Sequence, residues 1–142
     1  MTNFHDLFHQ FFQVNRQFSK LMNEKLAPLG LYRSQWTIIY FLKQHGPSTQ
    51  KEICEYLNVE APTITRTVKR LEKSGWIERT TGKDKREKRI QLTEEAVDQF
   101  KQWQQTINTF ELRVLDGVPE QAQKEFVNTL KKMNRNMKDK GD

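Results

Sequence analysis

Residues 49–93 read TQKEICEYLNVEAPTITRTVKRLEKSGWIERTTGKDKREKRIQLT, and their local signals follow one another without a gap. Thr49-Gln50-Lys51-Glu52 has the S/T-x-x-E form of a capping box, in which each side chain satisfies the other's backbone N–H. A short helix follows, with Ile53, Leu57 and the small Cys54 turned inward, and it ends near Asn58. Asn58-Val59-Glu60 makes a tight turn. Pro62 then falls in the first turn of the next helix, where its missing N–H costs nothing. Ala61, Ile64, Val68 and Leu71 mark one buried face of that helix, which stops at Ser74-Gly75. Trp76 to Thr81 and Arg89 to Leu92 are short β segments flanking the polar loop Gly82-Lys83-Asp84-Lys85-Arg86-Glu87-Lys88. Ile77, Ile90 and Leu92 supply the alternation of a hairpin with one buried face. The order is that of a helix-turn-helix followed by a β-wing.

Charge sharpens this reading. From Ala61 to Thr93 there are ten Lys/Arg against four Asp/Glu, a net of +6. Met1 to Glu60 holds six against five and Glu94 to Asp142 eight against nine, so this stretch carries the whole chain's excess of +6. A basic stripe along one helix and one hairpin is the footprint of a duplex-binding surface. A rotation of about 100° per residue away from the buried face puts Pro62, Thr63, Thr65, Arg66, Lys69 and Lys73 outward, with Arg70 at the margin. The second helix of a helix-turn-helix enters the major groove, its N-terminal half nearest the base edges. Thr63 and Thr65 can donate to phosphates, hydrogen-bond bases or touch a thymine methyl, and Arg66 can grip guanine O6 and N7. Lys69, Arg70 and Lys73 lie further along and suit phosphates, which set register without reading sequence. Thr49, Gln50 and Lys51 are candidates for the DNA backbone. At the hairpin tip Asp84 can orient the guanidinium of Arg86, an arrangement suited to the narrow minor groove. Lys83, Lys85, Lys88 and Arg89 surround it. A basic helix face alone is often just solvated surface; the capping box, turn and wing weigh against that here.

Outward from this centre the pattern is helical. Phe4, Leu7, Phe11, Val14, Phe18 and Leu21 recur at alternating steps of 3 and 4, with Phe8, Phe12 and Met22 broadening the stripe. Pro28 and Gly30 end this first helix. A second runs from Arg33 or Ser34 to Gln44, apolar at Trp36, Ile39, Tyr40 and Leu42, and stops at His45-Gly46-Pro47. Thr93 is a good N-cap with acids behind it. The helix it opens is apolar at Ala96, Phe100, Trp103, Ile107, Phe110 and Val114. Gly117 breaks it and Pro119 restarts a helix with Phe126, Leu130, Met133 and Met137 at the same spacing; Lys138 to Asp142 is a frayed tail. Mean hydropathy is −0.87 and only 35% of residues are hydrophobic, so one chain alone has a thin core. Apolar residues on long terminal helices of so polar a chain point to burial between chains. Three parts follow: an N-terminal dimerisation helix over 1–30, a winged helix-turn-helix over 31–93 and C-terminal dimerisation helices over 94–142. The fold class is mainly α with a small β-wing.

Several functions are disfavoured. No apolar run approaches the roughly 18 residues of a membrane span. Met1-Thr2-Asn3-Phe4-His5 lacks the basic and apolar regions of a signal peptide. A lone Cys54 permits no intramolecular disulfide and fits a reducing cytoplasm; as a small buried thiol it reads as packing. His5 and His9 share a helical face, but without acid or thiol companions they fall short of a closed metal site. His45 at a helix C-terminus reads as a dipole partner. No phosphate-binding glycine loop or nucleophile elbow is present, so neither an enzyme nor a cofactor is expected.

The run Leu57-Asn58-Val59-(x)3-Thr63-Ile64-Thr65-Arg66-(x)4-Leu71-Glu72-(x)2-Gly75-Trp76-Ile77-Glu78-Arg79, then Asp84-Lys85-Arg86-(x)3-Ile90-Gln91-Leu92-Thr93, closely resembles the MarR (multiple antibiotic resistance regulator) family of winged-helix repressors. The resemblance implies a homodimer on a pseudo-palindromic operator in double-stranded DNA, repression of transcription, and release by a small molecule or oxidant. It carries the recognition-helix role onto Thr63, Thr65 and Arg66, and the wing role onto Asp84 and Arg86. The implied dimer interface comprises Phe4, Leu7, Phe11, Phe18, Phe110, Val114, Phe126, Leu130 and Met133. The implied effector site lies near Trp36, Tyr40 and Phe11. Two departures stand out. The first helix has no Cys of the kind through which some members sense peroxide, and Glu60 replaces the frequent Ser, leaving a weaker N-cap on the recognition helix. A winged helix used for protein or RNA contact is the alternative of a different class, though it has no need of ten basic residues on helix and wing.

Overall fold

The computed structural model describes residues 4–81 and 86–139. Its elements are α1 (Phe4–Leu26), a 3-10 turn (Ala27–Leu29), α2 (Arg33–His45), α3 (Gln50–Leu57), α4 (Ala61–Lys73), β1 (Ile77–Thr81), β2 (Lys88–Leu92), α5 (Glu94–Val114) and α6 (Glu120–Asp139). The chain divides into two compact units, Met1–Phe110 and Glu111–Asp142.

Within the first unit, the core gathers the apolar stripes of α1, α2, α4 and α5 with the inner face of the hairpin. Leu26, Leu31, Ile38, Ile39, Ile53, Val68, Leu71, Ile90 and Trp103 are completely or almost completely buried. Trp103 stands edge-on to Trp76, ring centroids 4.9 Å apart at 90°, the geometry that the ring quadrupoles favour. Arg33 N–H donates to Asn23 Oδ1 at 2.7 Å and so ties the start of α2 to α1.

The local signals act as anticipated. Glu52 N–H donates to Thr49 Oγ1 at 3.1 Å and Thr49 N–H to Glu52 Oε1 at 3.3 Å, closing the capping box of α3. Asn58 takes the left-handed conformation, φ 55°, that ends α3, a conformation asparagine tolerates better than most residues. Thr93 does two jobs at once: its Oγ1 accepts from Ala96 N–H at 3.2 Å, capping α5, and donates to Gly75 O at 2.7 Å. Gly117, φ 77°, lies in the turn after α5, which stops at Val114 rather than running up to the glycine. α6 continues to Asp139, past the point where fraying was expected.

β1 and β2 pair antiparallel, with Ile77 opposite Leu92 and Arg79 opposite Ile90. Sequence reading missed one connection. Ser48 and Ile90 exchange both backbone hydrogen bonds, 3.0 and 2.7 Å, pinning β2 to the chain just before α3. The wing is therefore bolted to the helix-turn-helix rather than hanging from it.

In the second unit α6 is amphipathic, with Phe126, Val127 and Met137 exposed and Leu130 and Met133 half-buried. No helix among the described residues is long and apolar enough to cross a membrane.

Candidate nucleic-acid interface

α4 buries Ile64, Thr67, Val68 and Leu71, positions that share one helical face. Ala61 is exposed, contrary to the expectation from its spacing, because the first turn of α4 projects beyond the core. Thr67 takes its place on the buried side. A hydroxyl is tolerated there because Thr67 Oγ1 donates to Thr63 O at 3.0 Å. At the helix start the Glu60 carbonyl accepts from Thr63 and Ile64 N–H, at 3.1 and 3.2 Å, while its side chain caps nothing. Its backbone, φ −64° and ψ 144°, already has cap geometry. Glu60→Ser is therefore expected to raise unfolding stability by about 0.5–1 kcal/mol, measured by urea denaturation; a drop would show that the carboxylate's attraction to the helix dipole matters more.

On the opposite face Pro62, Arg66, Lys69, Arg70 and Lys73 are exposed, and Thr63 and Thr65 are half-buried. Arg66 reaches back only weakly, its NH2 standing 3.5 Å from Thr63 Oγ1. Four cations therefore stand in solvent along one helix. Lys51 on α3 is exposed as well. The Thr49 hydroxyl serves its own cap, donating to Glu52 Oε1 at 3.1 Å.

Gln50 is the residue whose role sequence reasoning did not anticipate. Its Nε2 donates to Thr65 Oγ1 at 3.1 Å, joining α3 to α4. Its Oε1 accepts from Arg79 NH2 at 3.4 Å, joining α3 to β1. Arg79 is held in turn by Glu72, its Nε lying 3.2 and 3.3 Å from the two carboxylate oxygens and its NH2 at 3.1 Å. Thr65 Oγ1 also donates to Ala61 O at 2.9 Å. Of the roles open to Thr65 (donating to a phosphate, bonding a base, touching a thymine methyl), the first competes with this bond, since its one proton is directed at its own helix. Gln50 and Thr65 lie fifteen residues apart, and no local pattern announces such a pair.

On the wing, Arg86 and Lys88 are exposed. Arg89 is not a free cation. Its NH1 donates to Pro47 O at 3.1 Å and its NH2 to Glu87 Oε1 at 3.0 Å, with Glu52 at 3.9 Å. It staples β2 to the loop before α3, beside the Ser48–Ile90 bridge. Lys83, Asp84 and Lys85, expected at the tip, lie outside the described residues. Near the junction of the hairpin with α5 an open depression of about 610 Å³ is lined by Glu78, Gln91, Glu94 and Asp98 among others. Its acidity is the wrong sign for a polyanion.

The expected interface residues on the terminal helices separate into two groups. Phe4 is 71% exposed and Phe126 57%, and Leu7, Phe11 and Val114 are exposed as well. Phe18 and Phe110 differ: their rings meet at 5.1 Å, and Phe110 is only 5% exposed. Phe110 is thus covered within its own chain, while Phe18 is half-buried and keeps part of its ring exposed. Of the residues expected near an effector, Trp36 is a core residue, stacked on Phe100 at 5.2 Å. Tyr40 is exposed, with its ring 5.8 Å from Trp36, and the Lys43 ammonium lies 5.5 Å from the Phe100 centroid. Phe11 has its ring contact with Phe12, 5.7 Å away. Cys54 is half-buried. Among the described residues no group of three His, Cys, Asp or Glu could hold a metal ion.

Comparison with known proteins agrees with this geometry. Residues 29–87 match the MarR family. The HTH-type transcriptional regulator YwoH of Bacillus subtilis (strain 168) is 48% identical over 120 residues, covering 84% of this chain and 88% of that protein. A mutant MarR from E. coli, crystallised in complex with operator DNA, is 25% identical, covers 90% of this chain and 93% of its own, and has a TM-score of 0.83. Reduced AbfR bound to DNA is 25% identical, with 94% and 93% covered and a TM-score of 0.76. A scaffold with four exposed cations on α4, a bolted wing and long terminal helices thus has both sequence and structural relatives, and the chain belongs to the MarR family of HTH-type transcriptional regulators.

Proposed function

We propose that this DNA-binding regulator is a homodimeric repressor that holds a pseudo-palindromic operator and is released by a small-molecule effector. The observation that carries the reading is the outward face of α4, where Arg66, Lys69, Arg70 and Lys73 stand exposed. The two DNA-bound relatives support it. Each copy inserts α4 into the major groove, with Arg66 nearest the bases and Lys69, Arg70 and Lys73 on phosphates. Lys51 reaches the backbone from α3, and Arg86 and Lys88 reach the flanking minor groove. Two copies place their recognition helices one duplex turn apart, roughly 34 Å. The exposed apolar face of α1 and that of α6 supply the surface for the second copy. Tyr40, exposed beside the buried Trp36–Phe100 stack, is the aromatic surface offered to an effector.

The test is a gel-shift titration on a selected operator and on random duplex, at several salt concentrations. Arg66→Ala is expected to cost about 1–3 kcal/mol on the operator and little on random DNA. Binding should weaken with salt, log K falling by about 0.9 for each phosphate neutralised per unit of log salt concentration. Equal losses on both DNAs would make Arg66 a phosphate contact, and no shifted band at low salt would reject the function.

A further inference from the structure

We propose that Gln50 restricts Thr65 to accepting hydrogen bonds, so that Thr65 reads the exocyclic amino group of an adenine or cytosine in the major groove. The inference deepens the DNA-binding reading above and rests on it. A threonine hydroxyl has one proton and two lone pairs. The proton is directed at Ala61 O, 2.9 Å away within the same helix. One lone pair takes the Nε2–H of Gln50, at 3.1 Å. What remains toward the groove is a single acceptor site.

The polarity of the Gln50 contact follows from Arg79. A guanidinium only donates, so the amide atom facing Arg79 NH2 at 3.4 Å is the oxygen, and the amide's N–H side is left for Thr65. Arg79 in turn is clamped by the Glu72 carboxylate at 3.1 Å. Glu72, Arg79 and Gln50 form a chain of fixed donors and acceptors that ends on the reading residue. It crosses α4, β1 and α3, so the reading atom is oriented by three elements as well as by the Ala61 carbonyl of its own helix.

Phosphate oxygens, guanine O6, purine N7 and thymine O4 all require a donor; adenine N6 and cytosine N4 are the groove's donors. An acceptor-only Thr65 is blind to the first set and matched to the second. Thr63 differs: among the described residues no acceptor takes its proton, so it keeps the freedom to contact a phosphate. Two threonines two residues apart thus have opposite hydrogen-bonding characters.

The experiment starts from a duplex selected by the full-length wild-type protein from random DNA. Each base of one half-site is then replaced singly by an analogue. Purine replaces adenine and 2-pyrimidinone replaces cytosine to remove the amino group; 7-deazapurines remove N7. At one position, loss of the amino group is expected to weaken wild-type binding by about tenfold, with no penalty for loss of N7. Thr65→Val should abolish that penalty and Thr65→Ser, which keeps the hydroxyl, should preserve it. Gln50→Leu should cut it to less than about threefold, because without the Gln50 N–H on one lone pair the hydroxyl can rotate off Ala61 O and turn its proton toward the groove. Thermal melts of the variants separate misfolding from altered reading. The proposal is overturned if Thr65→Val changes the N7 penalty instead, if it changes none, or if Gln50→Leu discriminates as wild type does. A wild-type protein that selects no sequence at all rejects the operator-binding function itself, a separate outcome.

Discussion

Leu7→Glu combined with Phe11→Glu on α1 is expected to leave each chain folded, separate the proposed dimer, and weaken binding to a two-half-site operator by about a hundredfold or more. Both side chains are exposed in the single chain, 49% and 36%, so neither substitution opens a hole in the core. In a dimer they would be buried, and two uncompensated carboxylates per chain in an apolar interface carry a penalty of several kcal/mol. Losing the second subunit removes the high effective concentration with which the second half-site is captured. Sedimentation velocity at micromolar protein and gel-shift titration measure the two effects, and circular dichroism confirms the fold. A variant that still sediments as a dimer would place the interface elsewhere. A wild-type chain of 17.0 kDa that sediments as a monomer would reject the dimer itself.

Trp103→Ala is expected to cost about 3–5 kcal/mol of unfolding free energy, a large fraction of what a domain of this size possesses. Trp103 is 1% exposed and stands edge-on to Trp76, the residue that leads α4 into β1. Truncation removes that ring pair and leaves a cavity where α5 meets the wing. Trp103→Phe retains an aromatic edge and should lose less, about 1–2 kcal/mol. Urea denaturation at one fixed protein concentration makes the comparison, because association contributes to apparent stability. A loss under about 1 kcal/mol for the alanine variant would mean that α5 is held from elsewhere.

These two expectations differ in how far they were legible beforehand. The stripe from Phe4 through Phe11 is visible at helical spacing, and its exposure in a single chain agrees with the surplus of apolar residues over what so polar a chain can bury. Phe18 and Phe110 belong to similar stripes, yet they face each other within one chain. Periodicity states which side of a helix is apolar, not what covers it. Ala61 failed for a related reason: a stripe extrapolated to the first turn overran the edge of the core. Trp103 was legible as an inward residue, but its edge-on partner Trp76 lies 27 positions away.

What the amino-acid order determined alone are the features in which cause and effect lie within about four residues. These include the Thr49/Glu52 capping box, the left-handed turn at Asn58, Pro62 in the first turn of α4, the Thr93 cap, and the cationic face of Arg66, Lys69, Arg70 and Lys73. Each rests on one backbone turn or one helical repeat, so each is written into the chain locally. Only the tertiary structure decided which polar groups are free to act. It committed Arg89 to Pro47 and Glu87, joined Ser48 to Ile90, and set Gln50 between Thr65 and Arg79. Those partners come together only when separate elements pack, and a side chain's remaining hydrogen-bonding capacity is known only after its partners are counted.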